Sequence, residues 1–254
     1  MCPADRTGDP VTLPAGPRTA RDWARKRVTE QILELARRQL ATDGAAGLSL
    51  RAIARDMGMS SSAIYRYFAG RDELLTALII EAYNGLGAAV EGVEVRVPRP
   101  DLFGRWSSAC HAVRAWALEH PHQYALIYGS PVPGYKAPID TVFPASRVST
   151  VLTMILVDGL ADGRLAAAAL KPDLDPAAAA ALRPVMLLVP PDLPPEIMAR
   201  GLVVFAGLFG AVSFELFGQF HNVIDEAPDA RVAWFDAMIA HWAAVIGLKP
   251  SLEP

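Results

Sequence analysis

Residues 48–68 read LSLRAIARDMGMSSSAIYRYF, and this stretch decides the fold of the N-terminal part of the chain. Apolar residues recur at helical spacing on both sides of Gly58, so the pattern predicts two short helices joined by a turn. Ser49 and Ser60 stand where N-caps are expected, because serine hydroxyls accept hydrogen bonds from the free amides of a helix start. The residues predicted to face inward are Leu50, Ile53, Ala54 and Met57 in the first helix, and Ala63, Ile64 and Phe68 in the second.

A helix-turn-helix of this kind can bind DNA, because its first helix crosses the sugar-phosphate backbone while the second enters the major groove. Small side chains at the start of the second helix allow a close approach to the bases, and Arg51 can pair with a guanine through two hydrogen bonds. Tyrosine hydroxyls and arginine guanidinium groups can bind phosphates. The candidate DNA-contacting residues are Ser49, Arg51, Ser60, Ser61, Ser62, Ala63, Tyr65, Arg66, Tyr67 and Arg71. From the spacing alone, a helical hairpin without any DNA contact is an equally good interpretation.

The distribution of charge favours DNA binding. The chain of 254 residues has a formal net charge of -3, but residues 1–71 hold 12 basic and 7 acidic side chains, whereas residues 72–254 hold 12 basic and 20 acidic ones. This asymmetry indicates that only the N-terminal end meets a polyanion such as nucleic acid. A cluster of basic residues also precedes the motif, although such clusters are ordinarily just a solvated helix face. Its members are Arg18, Arg21, Arg25, Lys26 and Arg27.

Helical periodicity continues through the rest of the chain, so the predicted fold class is all-α. Residues 1–19 are rich in proline and glycine and are predicted to be a disordered leader. The segment Val97-Pro98-Arg99-Pro100 breaks any helix and marks a sharp bend or a boundary. Helices are predicted up to residue 43, from residue 72, over 101–120, 121–128, 145–165, 195–220 and 229–248, with a short one inside the proline-rich segment 171–195.

Composition limits the class of protein. A hydrophobic share of 52% excludes a disordered chain. Two cysteines, the lack of a signal peptide and a longest apolar run of only 14 residues, 201–214, together predict a cytoplasmic location without a membrane span. The sequence has no motif for catalysis or for a cofactor, and its histidines and cysteines lack the spacing of metal sites. We therefore expect neither an enzyme nor a metal- or cofactor-dependent protein.

The segment Ile32–Leu75, with LSLRAIARDMGMSSSAIYRYFAGRDELL at its centre, resembles the N-terminal domain of TetR-family transcriptional regulators. The similarity rests on an Ile-Ala pair before Gly58, a second helix that starts with serine, the Ile64-Tyr65 pair, Phe68, and a basic-acidic pair before Leu74-Leu75. It implies a three-helix DNA-binding domain over residues 20–72 and a larger helical domain for ligand binding and dimerisation over residues 73–254. It also implies a homodimer that binds a palindromic operator.

The resemblance assigns roles to individual residues. Arg51 and the exposed face of Ser61–Arg66 would meet bases, whereas Tyr65, Tyr67 and Arg71 would meet phosphates. Arg71 stands where the family usually has lysine, a change that preserves the positive charge. The stretch HAVRAWALEHPHQYALIYGSPVPGY, residues 111–135, further resembles a subgroup with a Trp, His and Gly signature in its C-terminal domain. The corresponding residues here are Trp116, His120 and Gly129.

Aromatic residues in the C-terminal part are candidates for a pocket that binds an apolar or aromatic small molecule, although residues on helical stripes more often fill a core. They are Trp106, Trp116, Tyr124, Tyr128, Phe205 and Phe209. The last two predicted helices carry enough apolar surface for a symmetric dimer interface, or they are internal core. These features predict a homodimeric DNA-binding regulator, most simply a repressor, that a small ligand releases from its operator. The alternative is a lipid- or ligand-binding protein whose basic end contacts an anionic membrane.

Overall fold

The computed structural model of the chain describes residues 19–165 and 174–248, and within these ranges it contains eleven α-helices and no strand. The predicted all-α fold class is confirmed. The helices are α1 (Ala20–Asp43), α2 (Leu50–Asp56), α3 (Ser61–Ile64), α4 (Arg71–Glu94), α5 (Leu102–Glu119), α6 (Pro121–Tyr128), α7 (Val142–Ala161), α8 (Pro176–Ala181), α9 (Arg183–Met186), α10 (Pro195–Leu216) and α11 (Pro228–Ile246). Single 3-10 turns at Ala45–Gly47 and Ile139–Thr141 precede α2 and α7.

Several helix ends differ from the prediction for a local backbone reason. The predicted helix over 145–165 is α7, which ends four residues earlier because Gly163 adopts a left-handed conformation, with φ at +64°. Gly218 and Gly247 are also left-handed, at +82° and +84°, and they follow the ends of α10 and α11. The second helix of the motif ends at Ile64, and hydrogen-bonded turns continue it to Phe68.

The interior consists of two hydrophobic clusters, one in the head, which we define as residues 19–79, and one in the body, the remaining described residues. The head cluster brings together α1, α2, α3 and the first half of α4. Its buried members are Ile32, Ala36, Leu48, Leu50, Ile53, Ala54, Ile64, Phe68, Leu74, Leu75, Leu78 and Ile79. All predicted inward-facing residues of the motif except Met57 and Ala63, which are only partly buried, therefore lie in this core.

Helix α4 belongs to both clusters, since Leu78 lies in the head cluster and Leu86 in the body cluster. The predicted boundary between the DNA-binding domain, residues 20–72, and the larger domain, residues 73–254, falls within the first turn of this continuous helix. The sharp bend expected at 97–100 connects α4 to α5, where the Asp101 side chain accepts a hydrogen bond from Gly104 N at 2.8 Å and caps α5. The head and the body therefore share one helix.

Three segments are long and apolar enough to cross a membrane by length and composition alone: α4, Ile139–Ala161 and α10, with mean hydropathies of 1.2, 1.2 and 1.9. The expectation of no membrane-length segment rested on uninterrupted apolar runs, whereas an average over 18 residues tolerates isolated polar side chains. In the fold, 44%, 33% and 33% of these windows are buried inside the protein.

Two sequence expectations fall largely outside the described residues. The predicted disordered leader lies there except for its last residue, Thr19, whose side chain accepts a hydrogen bond from Asp22 N and caps α1. In the proline-rich segment 171–195, the described part begins at residue 174 and contains the short helices α8 and α9.

Candidate DNA-binding site and ligand domain

The turn between α2 and α3 is fixed by backbone hydrogen bonds around Gly58. Met59 N donates to Ala54 O at 2.8 Å, and Gly58 N donates to Arg55 O at 3.0 Å. This pair of bonds closes a helix end when the intervening residue is left-handed, and φ of Gly58 is +64°. The glycine predicted to permit the turn therefore sets the angle at which the second helix leaves the first.

The two serines predicted as N-caps behave differently. The Ser49 hydroxyl accepts a hydrogen bond from Ala52 N at 3.3 Å, so the cap of α2 is confirmed. The cap predicted for Ser60 is wrong: its hydroxyl lies 3.2 Å from the Ser62 hydroxyl and does not bond to the backbone of α3. The reason is geometric, since two neighbouring serine hydroxyls can satisfy each other at the surface.

The predicted DNA-contacting residues lie on the outer surface of the helix-turn-helix. The side chains of Arg51, Ser60, Ser61, Ser62, Tyr65 and Arg66 are exposed, and those of Ser49, Ala63, Tyr67 and Arg71 are half-buried. Ile64 and Phe68, between them in sequence, face the core. This alternation leaves a polar, positively charged surface anchored on an apolar interior, which is the arrangement that DNA readout requires.

Arg25 of α1 contributes to the geometry of this surface, a role that the sequence did not indicate. Its Nη2 donates a hydrogen bond to Arg66 O at 3.0 Å, and its guanidinium carbon lies 5.3 Å from the centre of the Tyr67 ring. These contacts hold the recognition segment, which we define as residues 61–68, against α1. The basic cluster before the motif was the available signal, but its pattern could not distinguish a positioning arginine from a solvated one.

Arg71 is partly engaged in the fold. Its Nη2 donates to Ala45 O at 2.7 Å, which ties the start of α4 to the 3-10 turn before α2. A guanidinium group has five N–H donors, so this bond leaves others available. The bond to Ala45 therefore leaves Arg71 with N–H donors for the predicted phosphate contact.

Four of the six predicted ligand-binding aromatics form one connected group in the body. The ring centres of Tyr124 and Tyr128 are 5.1 Å apart, those of Tyr128 and Phe209 are 4.2 Å apart, and those of Phe205 and Phe209 are 4.6 Å apart. The Tyr124 hydroxyl donates to Phe209 O at 3.0 Å. Burial raises the pKa of Tyr124 to about 12 and also raises that of Tyr128, so both are neutral at physiological pH.

The two tryptophans belong to the same body cluster as Tyr124 and Phe209, and their rings also contact residues outside this group. Trp106 donates from Nε1 to Ile239 O at 3.3 Å and so joins α5 to α11, while the Trp116 ring lies 5.1 Å from the His120 ring. A separate cavity of about 400 Å³ lies between α4, α6 and α7. Its lining includes Tyr83 and Ile127 but none of the six predicted aromatics.

Comparison with known proteins decides the family. The family model for bacterial regulatory proteins of the TetR family matches residues 32–78, and the model for the tetracyclin repressor-like C-terminal domain matches residues 106–242. HTH-type transcriptional regulators of Mycobacterium tuberculosis and Mycobacterium bovis are 40% identical over 232 residues, which cover 88% of this chain and 94% of theirs. The chain belongs to the TetR family.

Solved structures agree with membership of the TetR family. The crystal structure of the regulatory protein SCO4313 is 35% identical, with a TM-score of 0.71 over 88% of this chain and 98% of that one. A protein of unknown function from Rhodococcus sp. RHA1 is 25% identical, with a TM-score of 0.60 over 84% and 94%. A tetR family regulator from Shewanella sp. PV-4, at 18% identity and a TM-score of 0.54, shares the fold.

Membership of the TetR family decides between the alternatives left open by the sequence. The chain is a DNA-binding transcriptional regulator, and the membrane-contacting lipid binder is no longer needed to explain the basic N-terminal end. The Trp-His-Gly subgroup remains a prediction. In the structure Trp116 and His120 are in ring contact, and Gly129 N donates to Ala125 O at 2.9 Å at the end of α6.

Proposed function

We propose that this TetR-family protein represses transcription by binding a palindromic operator as a homodimer, and that a small apolar or aromatic molecule releases it. The observation that carries the proposal is the exposed polar face of the helix-turn-helix on a fully apolar head core. Such a protein acts in the cytoplasm, where the DNA is, and needs no enzymatic activity.

In the proposed complex, α3 enters the major groove. Arg51 and the exposed side chains of Ser61–Arg66 read bases, whereas Tyr65, Tyr67 and Arg71 bind phosphates. The Ser60 hydroxyl is exposed and can contact the DNA backbone, whereas the main role of Ser49 is to cap α2. Arg25 supports readout indirectly by holding the recognition segment against α1.

The proposed dimer interface uses α10 and α11. Apolar side chains of these two helices remain exposed on the monomer, with Val203 at 66% exposure and Trp234 at 45%. The other exposed members are Leu202, Phe214 and Val232. An isologous four-helix contact would cover them and would place two recognition helices about 34 Å apart, which is one turn of DNA.

Release requires that the ligand binds the DNA-incompetent conformation more tightly than the DNA-competent one, since equal affinity would shift nothing. The connected aromatic group of Tyr124, Tyr128, Phe205 and Phe209 is the proposed site. It lies on α6 and α10. Gln123 of α6 donates from Nε2 to Glu81 Oε1 at 3.4 Å, and Glu81 lies on α4 just beyond the head. The same carboxylate oxygen accepts from Arg37 Nη1 of α1 at 2.6 Å, so a shift of α6 reaches the head.

Selection of bound sequences from a random pool of duplex DNA tests the function directly. Recovery of a palindrome would support both sequence-specific binding and two-fold symmetry, whereas no enrichment would contradict operator binding. Light scattering tests the dimer separately, because a particle of 27.3 kDa at micromolar concentration would contradict it.

A further inference from the structure

A helical segment without any buried residue leads into α10. We define residues 174–192, which contain α8 and α9, as the arm; each of them is exposed or only partly buried. Leu187 and Leu188, directly after α9, are 85% and 81% exposed, more than any other large apolar side chain among the described residues. Adjacent leucines that are this exposed indicate an interaction surface.

The arm has a regular backbone although it lacks a core. The Asp175 side chain accepts a hydrogen bond from Ala177 N at 2.8 Å and caps α8, and Leu187 N donates to Arg183 O at 3.3 Å at the end of α9. Helices of six and four residues are not stable in water by themselves, because packing supplies most of the stability of a helix. The arm therefore needs an apolar surface that its own chain does not provide.

The charge of the arm selects the kind of partner. Between Asp175 and Asp192, Arg183 is the only charged residue, and the others are alanine, proline, leucine, valine and methionine. Nucleic acids and anionic membranes are bound by clusters of basic residues, so neither fits this segment. A neutral apolar segment fits the apolar centre of a protein interface.

A second copy of this chain offers such a surface. The exposed apolar face of α10 and α11 lies next to the arm in the chain, since α10 starts at Pro195 and Val203 follows about 12 Å along the helix. This face has five large exposed apolar side chains, whereas a stable interface uses roughly 20–30 residues a side. Two arms would enlarge the contact, because a two-fold axis makes every contact occur twice.

We propose that the arm of each subunit packs on α10 and α11 of the other subunit, with Leu187 and Leu188 in contact with their exposed apolar face. This inference rests on the homodimer under Proposed function and adds a reciprocal clasp to its four-helix contact.

The test measures the dimer dissociation constant of the full-length protein by sedentary-free sedimentation velocity, with fluorescent labelling to reach nanomolar concentrations. The double variant Leu187→Asp, Leu188→Asp should raise this constant about 100-fold or more, because four buried leucines per dimer become charged. The matched control is Ile139→Asp, Phe143→Asp, which charges two side chains that are 80% and 77% exposed outside the arm. The control should dimerise like the native protein, and circular dichroism establishes that both variants are folded.

Hydrogen exchange of the native protein locates the arm. Measured above and below the dimer dissociation constant, amides of the arm and of α10 should both exchange about tenfold more slowly in the dimer. Protection of α10 without protection of the arm would overturn the proposal.

The outcomes separate this inference from the homodimer itself. A native protein that stays monomeric would contradict the homodimer, and the arm contact with it. A native dimer that the Leu187→Asp, Leu188→Asp variant leaves unchanged would overturn the arm contact alone and assign the arm to a different partner. An equal weakening by the control would also overturn it, since added charge would then be the cause.

Discussion

The head and the body bury different kinds of side chain. The buried members of the head cluster are aliphatic except for Phe68. The body cluster includes Trp106, Trp116, Tyr124, Phe209 and Phe235, and the body also buries Arg105. The polar atoms of these large side chains need internal partners, and Trp106 and Tyr124 find them in the carbonyls of Ile239 and Phe209.

In the head, the residues proposed to bind DNA are different from those that stabilise the fold. In the body, the residues proposed to bind a ligand also stabilise the fold. In the head, side chains such as Arg51 and Ser61 are exposed and contribute little to the core, so they can specialise for DNA without a loss of stability. In the body, the groups that could bind a ligand are also core residues. A change in the body therefore alters binding and stability together.

The largest expected effect is on the core of the head. Ile64 is fully buried, and Ile64→Ala should lower the free energy of unfolding by about 2–5 kcal/mol through lost burial and a residual cavity. Urea denaturation measures this loss. Val95→Ala, at a position 74% exposed, is the control and should change stability by less than about 0.5 kcal/mol. If Ile64→Ala changed the free energy of unfolding as little as Val95→Ala does, this result would contradict the conclusion that the apolar interior stabilises the head.

The separation of function from stability in the head is tested by Arg51→Ala. If Arg51 reads guanine, the variant should bind the selected operator about 1–3 kcal/mol more weakly and lose preference at one base pair, with unchanged stability. Operator titrations with each base pair varied in turn measure both effects. Tyr67→Phe is expected to weaken binding to all DNA sequences similarly, because it removes the proposed phosphate contact. An equal loss on all sequences for Arg51→Ala would refute base readout.

A matched pair of serines sharpens the description of the head surface. Ser49→Ala removes a side-chain cap and should cost about 1 kcal/mol of stability. Ser60→Ala removes only a surface hydroxyl pair and should leave the free energy of unfolding nearly unchanged. Thermal or urea unfolding of both variants gives the comparison, and equal losses would show that Ser60 also acts as a cap.

The smallest effect concerns an ion pair of the body. The hydrogen bonds from the Arg147 guanidinium hold the pKa of Glu91 below its ordinary value of 4.5. The ion pair therefore stabilises the fold fully at pH values above 4.5, and this stabilisation is lost as the pH falls through the lowered pKa of the folded state. Glu91→Gln should therefore be less stable at neutral pH by under about 1 kcal/mol, because the carboxylate is partly solvent-screened. Unfolding measured from neutral to acidic pH should show the difference disappear at low pH. A constant difference would assign the effect to packing.

Local patterns were sufficient where neighbours in sequence are also neighbours in space. The bounds of α6 were predicted exactly as Pro121–Tyr128, since proline starts the helix and glycine follows its end. The turn at Gly58 and the cap at Ser49 were likewise predictable, because both depend on bonds within a few residues. The end of α7 was placed too late because the periodicity continued past Gly163, whose left-handed conformation stops the helix.

The sequence by itself determined an all-helical chain with a DNA-reading motif at a basic end, because helical period, caps and turn glycines act over short distances. Only the tertiary structure decided which long-range partners meet. It placed Arg25 on the recognition segment, joined Trp106 of α5 to Ile239 of α11, and buried Arg105 against Glu94 and Asp158. These contacts join residues tens of positions apart, and the pattern of a single helix carries no information about which helix will pack against it.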